Sequence, residues 1–215
     1  MFRYIFLLLI LSFYQPVFST EDTISQAVAR YLTRIHKYME AEDWINAERE
    51  LEQTARRYFK NEDSYERALI NQLYGQFYAM QRDYKNAIPW FEKAIAKGRL
   101  PFAADLQVTY SLAQCYFQTG RYTDVIDTLE NYRTKASKRG QNMAPVQLMV
   151  LGIAYFQEQE ILKAYLNIAE ANATSTKLNE EWLQYEFALA VKLEKYDDAI
   201  RVGQFLIFVN PEKKS

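Results

Sequence analysis

Three short stretches decide the fold of this chain: LYGQFY at residues 73–78, SLAQCY at 111–116 and VLGIAY at 150–155. Each stretch has a small residue at its third position and a tyrosine three residues later. A motif that returns about every 40 residues is typical of stacked structural units, each too small to bury its own apolar face. The stretches therefore predict a protein built from repeats.

The residues that follow each stretch extend the repeat. An aromatic or large apolar residue comes nine positions after the small one, Ala or Val three positions later, and a large apolar residue four beyond that. The three sets are Tyr84, Ala87 and Phe91; Tyr122, Val125 and Leu129; and Ile161, Ala164 and Ile168. This spacing predicts two antiparallel helices per unit that cross closely at the small residue, with aromatic rings between units.

Two weaker copies flank the central three. They consist of Ile35, Tyr38, Trp44, Ala47 and Leu51 upstream, and of Phe187, Ala190, Tyr196, Ala199 and Gly203 downstream. We therefore predict an all-α protein with ten helices in five pairs, arranged as one right-handed superhelical solenoid. The predicted repeats span about residues 28–61, 68–101, 106–139, 145–178 and 180–213.

Local signals mark several helix ends. Asp63 followed by Glu66 resembles a capping box, Pro145 suits the first turn of a helix, and Asn179 precedes two glutamates that favour a helix N-terminus. Pro89 falls inside a predicted helix, where it removes one backbone hydrogen bond and should bend the helix.

Composition excludes several classes of function. The chain has 26 basic and 27 acidic residues, so it lacks the positive charge expected of a nucleic-acid-binding protein. Its single histidine, His36, and single cysteine, Cys115, exclude a disulfide framework and a zinc cluster, and they disfavour a nucleophile with a partnering base. We therefore predict no enzyme activity, no catalytic residues, no metal and no cofactor.

The N-terminus has the pattern of an export signal. Arg3 is followed by an apolar run from residue 4 to residue 14, then by Pro16, and then by Val17 and Ser19 at the two positions that face the pocket of the signal peptidase. The run is shorter than the roughly 20 residues that span a membrane. We expect a signal peptide at 1–19, cleavage after Ser19 and no membrane span in the mature chain; an uncleaved anchor or a buried first helix is the alternative.

The repeat pattern resembles the tetratricopeptide repeat superfamily over nearly the whole predicted mature chain. A narrower resemblance lies in YERAL at 65–69, YKNAI at 84–88, GRLP at 98–101 and EWLQ at 181–184. These look like periplasmic repeat proteins encoded beside TonB and ExbB/ExbD components. The resemblance implies an exported periplasmic scaffold that assists TonB-dependent uptake. It also implies further repeats after residues 210–214, so that this chain is interpreted as a truncated member.

The repeat architecture predicts a concave groove lined by the first helix of each pair. The residues expected there are mostly uncharged: His36, Met39, Gln72, Gln76, Met80, Tyr110, Gln114, Phe117, Met149, Ile153, Phe156, Gln184 and Tyr185. Met and aromatic side chains provide contact area, and Gln can pair with backbone amides, so the lining suits a bound peptide or protein segment. The alternative, that several of these residues only pack between neighbouring first helices, stays open.

The last predicted helix contains FLIFV at residues 205–209, which is apolar on every side. Terminal repeats usually have a polar outer face, so Phe205, Leu206 and Phe208 are expected to form an assembly surface. Further repeats, a second copy or another partner could cover it. The alternative function is therefore a structural assembly factor of an envelope complex that oligomerises through this helix.

Overall fold

A computed structural model describes residues 26–58 and 64–209 of the chain. Within these residues every regular element is an α-helix, and there are ten. In chain order they are α1 (Gln26–Glu40), α2 (Trp44–Tyr58), α3 (Tyr65–Met80), α4 (Tyr84–Ile95), α5 (Phe102–Gln118), α6 (Tyr122–Ser137), α7 (Pro145–Gln157), α8 (Ile161–Thr174), α9 (Glu180–Lys192) and α10 (Tyr196–Val209). The predicted signal peptide and Asp63 lie outside the described residues.

The helices pack as five consecutive pairs, and the second helix of each pair packs on the first helix of the next. Two groups of buried apolar residues run along the stack: one extends from Val28 to Phe77 and the other from Ala68 to Ala199. Because each pair contacts only its neighbours extensively, the architecture is an all-helical solenoid. This confirms the predicted fold class.

The same turn joins the two helices of every pair. Its backbone hydrogen bond runs from an N–H to the carbonyl five residues earlier, and the N–O distance is 2.9 Å in all five copies. The accepting carbonyls belong to Tyr38, Tyr78, Tyr116, Tyr155 and Ala190. One residue of each turn has a positive φ, between 54° and 73°, and this residue is glycine only at Gly120. The repeat is therefore visible in the backbone as well as in the side chains.

The predicted small positions allow close helix crossings. A methyl group built on Gly75 would lie 2.5 Å from Cδ1 of Phe91, and one built on Gly152 would lie 2.6 Å from Cγ1 of Ile168. Both distances are shorter than van der Waals contact, so a side chain at either glycine would displace its neighbour. Ala113, at the equivalent place in the third pair, is fully buried.

Helix ends agree with most of the sequence signals. The Asn179 side chain accepts a hydrogen bond from the Trp182 N–H at 3.1 Å, and Pro145 is the first residue of α7. Pro89 lies inside α4 as predicted. The N-cap of α3 is Ser64, whose hydroxyl accepts from the Arg67 N–H at 3.1 Å. The prediction of Asp63 as the cap was therefore wrong by one residue.

Tyrosine hydroxyls connect successive pairs. Tyr116 on α5 donates to Glu92 on α4 at 2.5 Å, and Tyr155 on α7 donates to Glu130 on α6 at 2.9 Å. A cation lies over each of these rings, with Arg121 4.4 Å from the Tyr116 centroid and Lys163 5.0 Å from that of Tyr155. These tyrosines thus join the pairs by both packing and polar contact.

Candidate functional site

A cavity of about 680 Å³ lies beside α5, and we call it the α5 cavity. The end of α3 and the beginning of α4 form one side, and α6 and the region around the start of α7 contribute to the other. Its lining residues are Glu42, Trp44, Gln76, Ala79, Met80, Arg82, Tyr84, Phe91, Ala103, Leu106, Gln107, Tyr110, Ser111, Gln114, Cys115, Gln118, Tyr132, Gln141 and Gln147. The volume is in the range of pockets that hold small ligands or short segments of chain.

Four of the predicted groove residues meet in this cavity: Gln76 and Met80 on α3, and Tyr110 and Gln114 on α5. They lie on first helices, as the repeat geometry predicts. All four are partly exposed, so they can contact a molecule in the cavity without a change in packing.

Three predicted groove residues are instead part of the core. Met39, Met149 and Ile153 are only 2%, 3% and 8% exposed. Their side chains pack with neighbouring helices, and assigning them to the groove surface was therefore wrong. Helical periodicity places them on a first helix, but it does not distinguish the face toward solvent from the face toward the next pair.

The remaining predicted residues do not line the α5 cavity. His36 and Gln184 are exposed on α1 and α9, outside the cavity. Gln72, Phe117, Phe156 and Tyr185 are partly buried elsewhere on their helices. The Phe117 ring makes an edge contact with Tyr122, with their centroids 5.6 Å apart, which assigns it a packing role.

A stripe of uncharged polar side chains runs along α5 within the cavity. It consists of Gln107, Ser111, Gln114 and Gln118, spaced by four, three and four residues. This spacing keeps the four side chains on one helix face. Gln107 and Gln118 are eleven residues apart, or about 16 Å along the helix axis.

Two amide atoms of this stripe have no partner. The Oε1 atom of Gln107 and the Nε2 atom of Gln118 are buried and make no hydrogen bond within the described structure. A buried polar atom without a partner costs about 1–3 kcal/mol. Because the terminal torsion of glutamine is soft, either amide can turn toward a ligand in the cavity at small cost. One unpaired atom is an acceptor and the other a donor.

Burial keeps two titratable groups of the cavity, Tyr110 and Cys115, uncharged. It raises the pKa of the Tyr110 hydroxyl to about 12, although a hydrogen bond with Gln114 opposes the shift. Burial also raises the pKa of the Cys115 thiol to about 12. At neutral pH Tyr110 is therefore a hydroxyl donor, and Cys115 is an apolar surface rather than a thiolate nucleophile.

Two charged side chains stand among the described lining residues, Glu42 and Arg82. Both belong to the positive-φ turns that join the helices of the first and second pairs, and both are exposed. They have opposite charges, so the cavity presents no net charge to a ligand. Gln, Tyr and apolar side chains line the interior of the cavity.

Several cavity residues were missed by sequence reasoning. Gln107 and Gln118 lie on the same face of α5 as Gln114, and continuing the helical spacing in both directions would have found them. Trp44, Tyr84 and Tyr132 belong to the second helices of their pairs. The rule that only first helices line the groove excluded them, and only the packing of the pairs brings them there.

A second surface lies on the outer side of the last pair. Phe205 and Phe208 on α10 are 41% and 78% exposed, and Leu206 is partly exposed. Four further exposed apolar side chains lie on α9 and α10: Phe187, Val191, Ile200 and Ile207. We call the whole set the C-terminal face.

Within the described residues, no group of three or more His, Cys, Asp or Glu side chains is arranged to bind a metal ion. Over the same residues, no helix combines the length and the apolar character needed to span a membrane.

Family models match two overlapping parts of the chain. Residues 32–104 match the model described as tetratricopeptide repeat, and residues 80–142 match that of anaphase-promoting complex, cyclosome, subunit 3. No protein of curated function matches the sequence. The repeat match begins within α1, continues through the second helix pair and ends at the beginning of the third.

Solved structures share the fold at low sequence identity. MamA, residues 41 to the end, from Desulfovibrio magneticus RS-1 is 14% identical, with a TM-score of 0.68 over 90% of this chain and 100% of MamA. A tetratricopeptide repeat protein from Parabacteroides merdae ATCC 43184 is 16% identical, with a TM-score of 0.65 over 88% of this chain and 69% of its own.

A third solved structure is YrrB, described as a TPR protein with an unusual peptide-binding site. It is 12% identical, with a TM-score of 0.65 over 85% of this chain and 86% of YrrB. At these identities the likeness establishes the fold. The family match assigns residues 32–104 to the tetratricopeptide repeat superfamily, and the five equivalent helix pairs continue the same architecture through the described residues.

Proposed function

We propose that this protein is a binding scaffold that holds a segment of another protein in the α5 cavity. The observation that carries the proposal is the lining of this cavity, which combines uncharged hydrogen-bonding side chains with aromatic and apolar ones on packed helices. Such a surface suits a polypeptide, whose main chain needs hydrogen bonds and whose apolar side chains need contact area. The peptide-binding site named for YrrB supports the same use of the fold.

The mechanism of this function is binding without a chemical step. Tyr110, Tyr84 and Met80 provide apolar contact area, while Gln76 and Gln114 provide donors and acceptors. The side chains are held by helices that are already packed, so little conformational entropy is lost when a segment binds. Specificity then comes from the composition of the lining.

Site-specific photocrosslinking tests this proposal. A benzoylphenylalanine at Ala103, which lines the cavity and is exposed, should form a crosslink to a protein partner in cells. The matched control is the same residue at Leu166, which is 54% exposed on α8 outside the cavity. A protein adduct formed at position 103 and absent at 166 supports the function. No protein adduct at 103 would contradict it.

The proposed scaffold is exported and works in the periplasm as part of TonB-dependent outer-membrane transport. Support comes from the signal-like pattern at residues 1–19 and from the resemblance of four short stretches to repeat proteins encoded beside TonB and ExbB/ExbD. N-terminal sequencing of protein released by osmotic shock should begin at Thr20. Crosslinks from position 103 should then contain TonB, ExbB, ExbD or an outer-membrane receptor, and retention in the cytoplasm would contradict the export proposal.

A second candidate function, assembly through self-association, is favoured by the C-terminal face. We propose a second copy as its occupant, because the opposite end of the stack exposes charged α1 side chains such as Arg30, Arg34 and Lys37. A head-to-tail contact would bury these charges, whereas a two-fold contact pairs Phe208 and its neighbours with their own copies. Sedimentation should show a dimer that the F205E/F208E variant converts to a monomer. A monomer in the unmodified protein would contradict this candidate.

A further inference from the structure

The polar stripe of α5 has the chemistry of a polypeptide main chain. Each glutamine amide has one carbonyl acceptor and an NH₂ donor, which are the groups that a peptide unit offers in return. The stripe from Gln107 to Gln118 is about 16 Å long, which equals the length of about five extended residues. Its members lie on one helix face, so a single straight segment can pass all of them.

The unpaired amide atoms indicate where the main chain would bind. The Oε1 atom of Gln107 can accept from a peptide N–H, and the Nε2 atom of Gln118 can donate to a peptide carbonyl. These atoms lie at the two ends of the stripe, and neither has a partner in the described structure that a ligand would have to displace. Gln147 differs, because its amide already bonds the Ala144 N–H and the Tyr132 hydroxyl.

The rest of the lining selects against charged segments. Tyr110 and Cys115 remain uncharged at neutral pH, and the charged lining residues within the described structure, Glu42 and Arg82, lie in turns outside α5. A charged ligand side chain placed beside α5 would lose water without gaining an ion pair. An apolar side chain would instead gain contact with Met80 and Tyr84.

We propose that the segment bound in the α5 cavity is an extended, uncharged stretch of about five residues, recognised mainly through main-chain hydrogen bonds to the glutamine stripe of α5. This inference rests on the proposed function and adds the class of ligand. It assigns Gln107 and Gln118 as the residues that bind the two ends of the segment. Apolar side chains of the segment would pack against Met80 and Tyr84.

The test begins with a random peptide library displayed on phage and selected on the full chain. Binding of one selected peptide is then measured by fluorescence polarisation to wild type, Gln107→Leu, Gln118→Leu and the control Gln157→Leu. Gln157 is exposed at the end of α7 and does not line the cavity. The first two variants should each bind about tenfold more weakly, and Gln157→Leu should bind as wild type does.

N-methylation of the peptide separates main-chain recognition from other contacts. Methylating the amide that pairs with Gln107 should weaken binding to wild type about tenfold and leave binding to Gln107→Leu unchanged. Folding is not a confounding factor, because Leu at 107 or 118 removes an unpaired buried polar atom. Thermal unfolding midpoints of both variants should equal or exceed that of wild type.

The outcomes distinguish this inference from the proposed function. Selected peptides that crosslink at position 103 but bind all variants equally would overturn only the main-chain inference. The same holds for peptides whose binding requires Asp, Glu, Lys or Arg. If no peptide is selected, or if neutral oligosaccharides bind instead, the proposed function itself fails, and this inference fails with it.

Discussion

Phe187 on α9 lies against Gly203 on α10, and a methyl group built on Gly203 would be 3.5 Å from Cε2 of Phe187. The same sixteen-residue separation joins Gly75 to Phe91 and Gly152 to Ile168. In those two pairs the small residue is on the first helix and the large one is on the second. In the last pair the large residue, Phe187, is on the first helix and the small one, Gly203, is on the second. The two helices therefore still cross closely, although the first helix lacks the small residue of the motif.

Glycine-to-alanine substitutions should therefore have opposite effects in different pairs. At Gly203 the added methyl makes ordinary contact, and the better helix propensity of alanine should stabilise the chain by up to about 1 kcal/mol. At Gly152 the methyl would overlap Ile168 and approach the carbonyl oxygen of Ala164 to 3.2 Å, which should cost about 1–3 kcal/mol. Urea unfolding of both variants measures the difference. Equal effects at the two positions would contradict the reversed placement of the small and large residues in the last pair.

A second substitution should rescue the clash at Gly75. The third pair has Ala113 and Leu129 where the second has Gly75 and Phe91, so alanine is tolerated opposite leucine. We expect Gly75→Ala to cost about 1–3 kcal/mol and Phe91→Leu to destabilise by a smaller amount. The double variant should be more stable than the sum of the single effects predicts, by about 1 kcal/mol or more. Simple additivity in a double-mutant cycle would contradict direct contact.

The positive-φ turns offer a stabilising substitution. Gln159 has a φ of 62° and is exposed, while the equivalent residue of the third pair is Gly120, with a φ of 73°. A left-handed backbone costs a residue with a Cβ about 1 kcal/mol or more, so Gln159→Gly should raise the free energy of unfolding by about 1 kcal/mol. Gly120→Ala is the matched control. Nothing lies within 4 Å of the added methyl, so only the cost of the left-handed backbone remains, and the free energy of unfolding should fall by a similar amount. Thermal unfolding reports both changes, and a destabilised Gln159→Gly variant would contradict the expectation.

Stability should fall in alkaline solution. Burial and the hydrogen bond to Glu92 raise the pKa of Tyr116, and burial with the bond to Asp198 raises that of Tyr165 to about 12. A raised pKa in the folded state favours the neutral hydroxyl, so this stabilisation is complete below about pH 10, the ordinary tyrosine pKa, and decreases as the pH rises through the folded pKa. Urea unfolding between pH 8 and pH 12 should show the decrease. In a Tyr116→Phe/Tyr165→Phe variant the dependence should be weaker, and an identical dependence would contradict this origin.

Cys115 should be chemically inert in the folded protein. Its side chain is 2% exposed, and burial raises its pKa to about 12, so little thiolate forms at pH 8. We expect negligible alkylation by iodoacetamide in native buffer and complete alkylation in urea, both measured by mass spectrometry. A native rate equal to that of an unfolded control would mean that the thiol is accessible to reagents in the cavity.

The fold could be predicted because its information is local and periodic. The recurrence of Gly75, Ala113 and Gly152, each followed three residues later by tyrosine, defines helix pairs whose crossing and turn geometry repeat. Asn179 and Pro145 mark helix ends by chemistry that acts within one turn. Phe187 and Gly203 depart from this pattern, because the large residue is on the first helix and the small one is on the second. Only the contact between the two helices shows that the two residues fit together.

The candidate site was predicted only in part. The repeat pattern assigned Tyr110 and Gln114 to the groove, and both line the α5 cavity, but it assigned Met149 there as well, and Met149 is in the core. Residues on one helix face share the same spacing whether that face meets solvent or the next pair. Trp44 and Tyr132 reach the cavity from second helices, which the repeat rule did not include.

The amino-acid sequence by itself therefore determined the helices, their pairing and the all-helical solenoid, because these follow from propensity, capping and a fixed apolar period. Tertiary structure decided which side chains face the cavity and which amide atoms, such as Oε1 of Gln107 and Nε2 of Gln118, are left without partners. Burial and hydrogen-bond satisfaction are properties of surfaces that residues far apart in the chain form together, and no local pattern records them.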